Sequence, residues 1–200
     1  MTSSDRPSAS PAFFLPIVLV LVAVAYRYAK MAGVVNIPAL ENFNPWMALA
    51  FTGTLLFPKR VSFLVAPLLL LAVSLAAAGP AAILQWEAVA VYATFAGAAW
   101  LASQWRGKLG MVGGLLGVAG CSLAFYVITN TISWVSYPYT KDFAGWLQAL
   151  TTGEPGHLPS WWFLRNSLVS DLGFSVLLLA AHNTEATLRR ERSIPLVAAA

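Results

Sequence analysis

Six apolar runs, at about 12–33, 45–57, 61–78, 87–103, 109–134 and 161–182, occupy most of this 200-residue chain and leave few ways to fold it. The runs are continuous, whereas a membrane strand alternates apolar and polar residues, so they read as helices. Hydrophobic residues make up 58% of the chain and charged residues 10%. A soluble domain carries about 25% charged residues, so the solvent for this chain is largely lipid. The predicted architecture is all-α: six transmembrane helices in one bundle over 12–182, with a short second helix. A Ser- and Pro-rich tail at 1–11 is expected to be disordered, and a loose cytoplasmic tail is expected at 183–200.

Charge sets the expected orientation. If both termini share one side, that side holds Arg6, Lys59, Arg60, Arg106, Lys108, Arg189, Arg190 and Arg192, and the other holds Arg27, Lys30, Lys141 and Arg165. The positive-inside bias then places both termini in the cytoplasm of a multi-pass inner-membrane protein. The net charge of +4 is spread between apolar spans rather than gathered in a stripe, so no nucleic-acid partner is expected. Cys121 is the single cysteine, which excludes an internal disulfide and a thiolate cluster. Residues 6–25 imitate a signal peptide ending in Ala23-Val24-Ala25. The five runs that follow favour an uncleaved first helix.

The second run offers only 13 residues from Pro45 to Phe57. At 1.5 Å per residue this is ~20 Å, against ~30 Å of hydrocarbon. Asn44 is a plausible N-cap and Pro45 a plausible first helical residue, which predicts a helix start sunk below the outer surface and facing a cavity. Between the last two runs, Phe143, Trp146, Leu147 and Leu150 have the i, i+3, i+4, i+7 spacing of an amphipathic helix on the outer face, an interfacial anchor or a lid. In the fifth run Gly110 and Gly114, and Gly113 and Gly117, form two GxxxG pairs, and Ala25 and Ala29 form a similar small pair in the first. Such pairs serve close helix packing, inside the bundle or with a partner.

The unusual polar residues fall near one level of the membrane. Arg27 ends the first run, Asn42, Asn44 and Trp46 open the second, and Gln85, Trp86 and Glu87 open the fourth. Asn130 and Trp134, four apart, close the fifth, while Arg165, Asn166 and Asp171 open the sixth. Asp171 lies about halfway along its run, where an unpaired carboxylate costs ~2.5–3.5 kcal/mol on insertion scales. Arg165 is six residues away and ~9 Å higher, so the partner must come from another helix. Arg27 and Asn130 are the candidates, with Arg27–Asp171 the sharper expectation. Together Arg27, Asn42, Asn44, Trp46, Asn130, Trp134, Arg165, Asn166 and Asp171 are the candidate ligand-binding residues.

The succession "NFNPWMALAF", "ITNTISW" and "FLRNSLVSD" resembles a family of six-span bacterial membrane proteins of uncharacterised function, with NF-x-P, TN-x-x-x-W and RN-x-x-x-x-D motifs, over roughly residues 25–180. In span number, size and topology that family is similar to the S components of energy-coupling-factor transporters. The resemblance implies a subunit that binds a small molecule from the outer face and meets a membrane coupling subunit with ABC-type ATPases through a patch such as Ala25–Ala29. The sequence departs from the family where Ser74 is followed by Leu75, a position that is often acidic.

The expected function is thus a small-molecule-binding transport subunit embedded in the lipid bilayer, its indoles suited to a flat apolar ligand and its basic groups to an acidic one. A structural subunit of a larger complex, packing through the glycine-rich fifth helix, is the alternative. No nucleotide-binding or hydrolase motif is present, and His157 and His182 fall on opposite sides of the expected topology, so neither enzyme activity, a cofactor nor a metal is expected.

Overall fold

The structure, a computed structural model, describes residues 14–197. Residues 1–13, with the expected disordered tail and the first two residues of the first run, and residues 198–200 lie outside the described residues. All regular structure within them is helical. The helices are α1 (Phe14–Met31), α2 (Trp46–Leu56), α3 (Val65–Ala78), α4 (Trp86–Gln104), α5 (Met111–Ser136), α6 (Phe143–Leu150) and α7 (Ser160–Leu188). Each of the six apolar runs coincides with a helix, and α1, α5 and α7 are long and apolar enough to cross a membrane.

Lipid-like surroundings are written into α7. Its buried residues include Asn166, Ser170, Asp171, Ser175 and Glu185, whereas Val169, Val176 and Leu177 are exposed. A helix that turns its polar groups inward and its branched apolar groups outward suits hydrocarbon, not water.

The short α2 occupies the middle of the bundle, in contact with α3, α4, α5 and α7. Every residue from Pro45 to Thr54 is buried, as expected for a helix that is apolar on all sides. Its central turn, Leu49–Gly53, is π-helical. There the Thr52 and Ser175 hydroxyls meet at 2.8 Å, joining α2 to α7. Around this axis α1 packs on α3 and α7, and the most extensive pairing is between α5 and α7.

The glycine-rich stretch of α5 is spent on α2. A Cβ on Gly117 would lie 2.3 Å from the Phe51 ring, and one on Gly114 would sit 3.6 Å from Leu55 Cδ1. Gly110 is buried immediately before the helix, and a Cβ on Gly113 would meet only Leu109. The two GxxxG pairs therefore divide, with Gly114 and Gly117 serving internal packing. The Gly79-Pro80 break behaves as its composition requires: Gly79 closes α3 at φ +76°, a conformation that strains any residue with a Cβ.

Helix ends are satisfied by other helices and loops. Glu185 of α7 accepts from the Leu15 N–H of α1 at 2.9 Å and pairs with Arg189 at 2.6 Å. The α7 helix runs on to Leu188. Beyond it the chain is not loose over 194–196. Pro195 and Leu196 carbonyls accept from the Met111 and Val112 N–H groups at the start of α5, and Asn183 bonds both Ile194 N and Ile194 O. The C-terminal segment thus caps α5, which a residue-by-residue hydropathy reading misses.

The α2–α5 contact has a direct test. Gly117→Ala is expected to cost about 1–3 kcal/mol by overpacking against Phe51. Gly120→Ala, whose Cβ would meet nothing within 4 Å, is expected to leave stability unchanged or raise it by up to ~1 kcal/mol. Equal melting midpoints for both variants in detergent would refute the packing of α5 on α2.

Candidate functional site

The site is built around the first turn of α2. Eleven residues at 1.5 Å each give a helix of ~16 Å, about half the hydrocarbon thickness, so both of its ends are interior. Its first N–H and last C=O groups have no partners along the helix and no water to turn to. At the N-terminal end no side chain of α2 or its preceding loop caps the helix. Asp171 of α7 does so instead: Oδ1 accepts from the Ala48 N–H at 3.1 Å, and Oδ2 accepts from the Ser122 hydroxyl of α5 at 2.8 Å. At the C-terminal end, buried Arg106 donates to the carbonyls of Thr54, Pro58 and Val61 at 2.8–2.9 Å. A carboxyl group thus sits at the positive end of the helix dipole and a guanidinium at the negative end.

This arrangement corrects the expected Arg27–Asp171 pair. Asp171 is 3% exposed and spends its oxygens on a backbone amide and a hydroxyl. Arg27 turns to Asn44: with the Asn44 amide oriented oxygen toward the guanidinium, that oxygen accepts from Arg27 Nη1 at 3.0 Å and the nitrogen donates to Phe43 O. Asn44 is therefore not the N-cap of α2; it holds Arg27. Asn130, the other proposed partner, donates to Tyr126 O within α5.

A cavity of about 270 Å³ lies at the head of α2. Five of the nine residues chosen from the sequence line it: Arg27, Asn42, Asn44, Trp46 and Asp171. Tyr92 and Phe95 of α4 and Phe125 of α5 add an aromatic wall, with Phe95 and Phe125 centroids 5.1 Å apart. Met31, Met47, Leu70, Ser74 and Ser167 complete much of the remainder. The wall residues escape a sequence reading because an aromatic residue in an apolar run has the same letter whether it faces lipid or a cavity. Ser74, beside the family departure at Leu75, is in the cavity lining, while Leu75 is exposed.

The other four candidates are not in the lining of this cavity. Asn166 donates to the carbonyls of Ala39 and Glu41 at 2.9 and 2.8 Å, tying the α1–α2 loop to α7. Arg165 donates to the Asn166 side-chain oxygen and stacks 4.3 Å from the Trp162 ring centre. Asn42 adopts φ +54°, a left-handed conformation that Asn tolerates better than most residues, and its carbonyl faces the Ser167 hydroxyl at 3.5 Å. Trp134 donates to Thr140 O at 2.7 Å and shapes the α5–α6 loop, where Lys141 caps the last carbonyls of α5. Asn130 lines a neighbouring cavity of about 230 Å³.

The expected amphipathic helix is present as α6, but no α6 residue lines the α2 cavity, so the segment over the cavity is the α1–α2 loop. Gly145 and Ala149 are its buried residues, and Phe143 and Leu147 are exposed. Asp142 caps it, accepting from Gly145 N at 2.8 Å, and this bond and the Thr140 hydroxyl hold the Asp142 carboxyl below its ordinary range. Ala25 lies exposed on the outside of α1, with Ala29 half-buried.

The cap carries an expectation for variants. Asp171→Ala leaves the Ala48 amide and the Ser122 hydroxyl without their acceptor and is expected to cost about 1–3 kcal/mol per stranded group. Asp171→Asn keeps an acceptor for Ala48 and should cost less. Arg106→Gln should resemble Asp171→Ala, because three carbonyls lose their donor. Melting midpoints of the three variants in one detergent check the order, and an Asp171→Ala protein as stable as the parent would rule out the cap.

No curated protein and no solved structure matches the chain. Residues 7–192 match the family of unknown function DUF6580, nearly the whole length, and the chain belongs to that family.

Proposed function

We propose that this chain is the small-molecule-binding subunit of a membrane transport system, with α1, α3, α4, α5 and α7 crossing the bacterial inner membrane, the chain passing it a sixth time through the short α2 and its flanking loops, and both termini in the cytoplasm. The observation that carries the reading is the cavity at the head of α2, lined by Arg27, Asn42, Asn44, Trp46 and Asp171 and walled by Tyr92, Phe95 and Phe125. Convergent polar groups against an aromatic wall are the usual make-up of a small-ligand site. The cavity belongs to the end of the bundle where α1 finishes and α7 begins. By the charge bias this is the outer face.

In this reading the protein is similar to the S components of energy-coupling-factor transporters. A membrane coupling subunit with ABC-type ATPases supplies the energy, and exposed Ala25 offers a small, flat place for it on α1. The alternative, a structural subunit joined to its complex by the glycine-rich helix, draws less support: Gly114 and Gly117 face Leu55 and Phe51 of the same chain.

Purification of the tagged full-length protein from its native membrane in mild detergent, followed by protein mass spectrometry, tests the proposal. A membrane coupling subunit and ABC-type ATPases are expected to come with it, and Ala25→Leu should reduce their recovery at least severalfold without changing the melting midpoint. Recovery of an unrelated membrane assembly, unaffected by Ala25→Leu, would overturn the transport reading in favour of the structural one.

A further inference from the structure

We infer that the cavity at the head of α2 takes a small carboxylate with an apolar, ring-sized body; the inference rests on reading that cavity as the ligand site. The argument is an account of which polar atoms there are already used. Asp171 is the acidic group of the lining, and its oxygens are occupied by the Ala48 amide and the Ser122 hydroxyl. It serves α2 and has little left with which to hold a cation. Asn44 is likewise engaged on both sides, by Arg27 and by Phe43 O.

The unpartnered atoms are donors. Trp46 is 3% exposed and its indole N–H has no acceptor. The Arg27 Nε–H is buried without one as well, and among the described residues Arg27 forms no ion pair. Buried donors without acceptors are rare and each costs about 1–3 kcal/mol. Here two of them, one on a full positive charge, belong to residues lining one cavity. An oxyanion in the cavity pairs with the Arg27 guanidinium, to which the chain gives no carboxylate partner, whereas an amine places a second cation beside it.

The approach has the same bias. A second cavity of about 300 Å³ shares Arg27, Met31, Asn42 and Asn44 with the first, and adds Lys30 and Glu41 from α1 and its following loop. Two cations and one carboxylate therefore flank the way in, and Arg27 stands at the junction. Beyond it, Tyr92, Phe95 and Phe125 present faces for an apolar body. The volume of about 270 Å³ has room for such a ring, since a cavity of about 150 Å³ already holds a benzene.

Four shape-matched probes decide the matter: benzoate, phenylacetate, benzamide and benzylamine, each titrated against the full-length protein in nanodiscs by ligand-observed NMR and by thermal shift. The carboxylates are expected to bind at least tenfold more tightly than the amide or the amine. Arg27→Gln should erase that preference, and Arg27→Lys should keep part of it. Melting curves of each variant establish that it is folded, and the paired substitutions keep the test usable if Arg27→Gln is not. Equal or tighter binding of the amide or the amine, lost on Phe125→Ala, would overturn the carboxylate assignment while leaving the cavity as a ligand site. A carboxylate preference that survives Arg27→Gln would place binding elsewhere and overturn it too. No binding by any of the four probes would overturn the inference and the reading of the cavity together.

Discussion

A helix too short to cross the bilayer has been placed entirely inside the protein, and its two ends must be satisfied there. Ala48 and Thr54 are buried, so other parts of the chain supply Asp171 for the Ala48 N–H and Arg106 for the Thr54 carbonyl. Both are groups whose burial is costly alone. At the ends of a helix dipole each is compensated by several aligned peptide groups rather than by one counter-ion. Neighbouring positions follow from this. Asp171 fixes the register of α7 against α2, with the Thr52–Ser175 bond further along the same interface. Ser122 brings α5 to the same carboxylate, and Gly117 lets α5 come close enough for Phe51 to fit.

The cavity is a geometric consequence of the short helix. α2 begins deeper than α1 ends, so the bundle has a space above Trp46 that no helix fills. The α1–α2 loop crosses it and is held there by polar side chains of α7 and α1: Asn166 on the Ala39 and Glu41 carbonyls, and Lys30 on Leu40 O at 2.6 Å. A loop with exposed backbone is tolerated at such depth where it borders protein and a cavity instead of lipid. The RN-x-x-x-x-D motif thereby divides into distinct tasks. Arg165 orients Asn166, Asn166 holds the loop, and Asp171 sets the helix beneath it.

Much of this was legible in the residues, and the misreadings share a cause. Apolar runs located the helices, because helix periodicity and run length survive any packing. The 13-residue second run announced a buried helix start, and Asp171 announced a partner on another helix. The partner itself was misjudged because side chains have letters and backbone amides do not. A sequence shows Arg27 as a cation within reach and cannot show that Ala48 N–H will be unpaired. The task of Arg106 was invisible for the same reason: three carbonyls waiting for it leave no trace in composition. The aromatic wall was missed because Tyr92, Phe95 and Phe125 sit in runs where lipid-facing and cavity-facing residues are chemically alike.

Depth alone grouped nine polar residues that the structure separates by whether their hydrogen bonding is closed. Asn166, Trp134, Asn130 and Asp171 each have partners within the chain that account for their presence, and the same residues would be required if the protein bound nothing. Arg27 and Trp46 differ. Arg27 leaves its Nε–H unused and Trp46 its indole N–H, as the Tyr26 hydroxyl and Arg106 Nη2 are left elsewhere in the bundle. A chain that provides a carboxylate for α1, a carboxylate and a guanidinium for α2 and a cation for α5 is well supplied with means of satisfying buried groups. That it gives Arg27, in the lining of the cavity, no carboxylate partner among the described residues is better explained by an anionic molecule that enters than by packing.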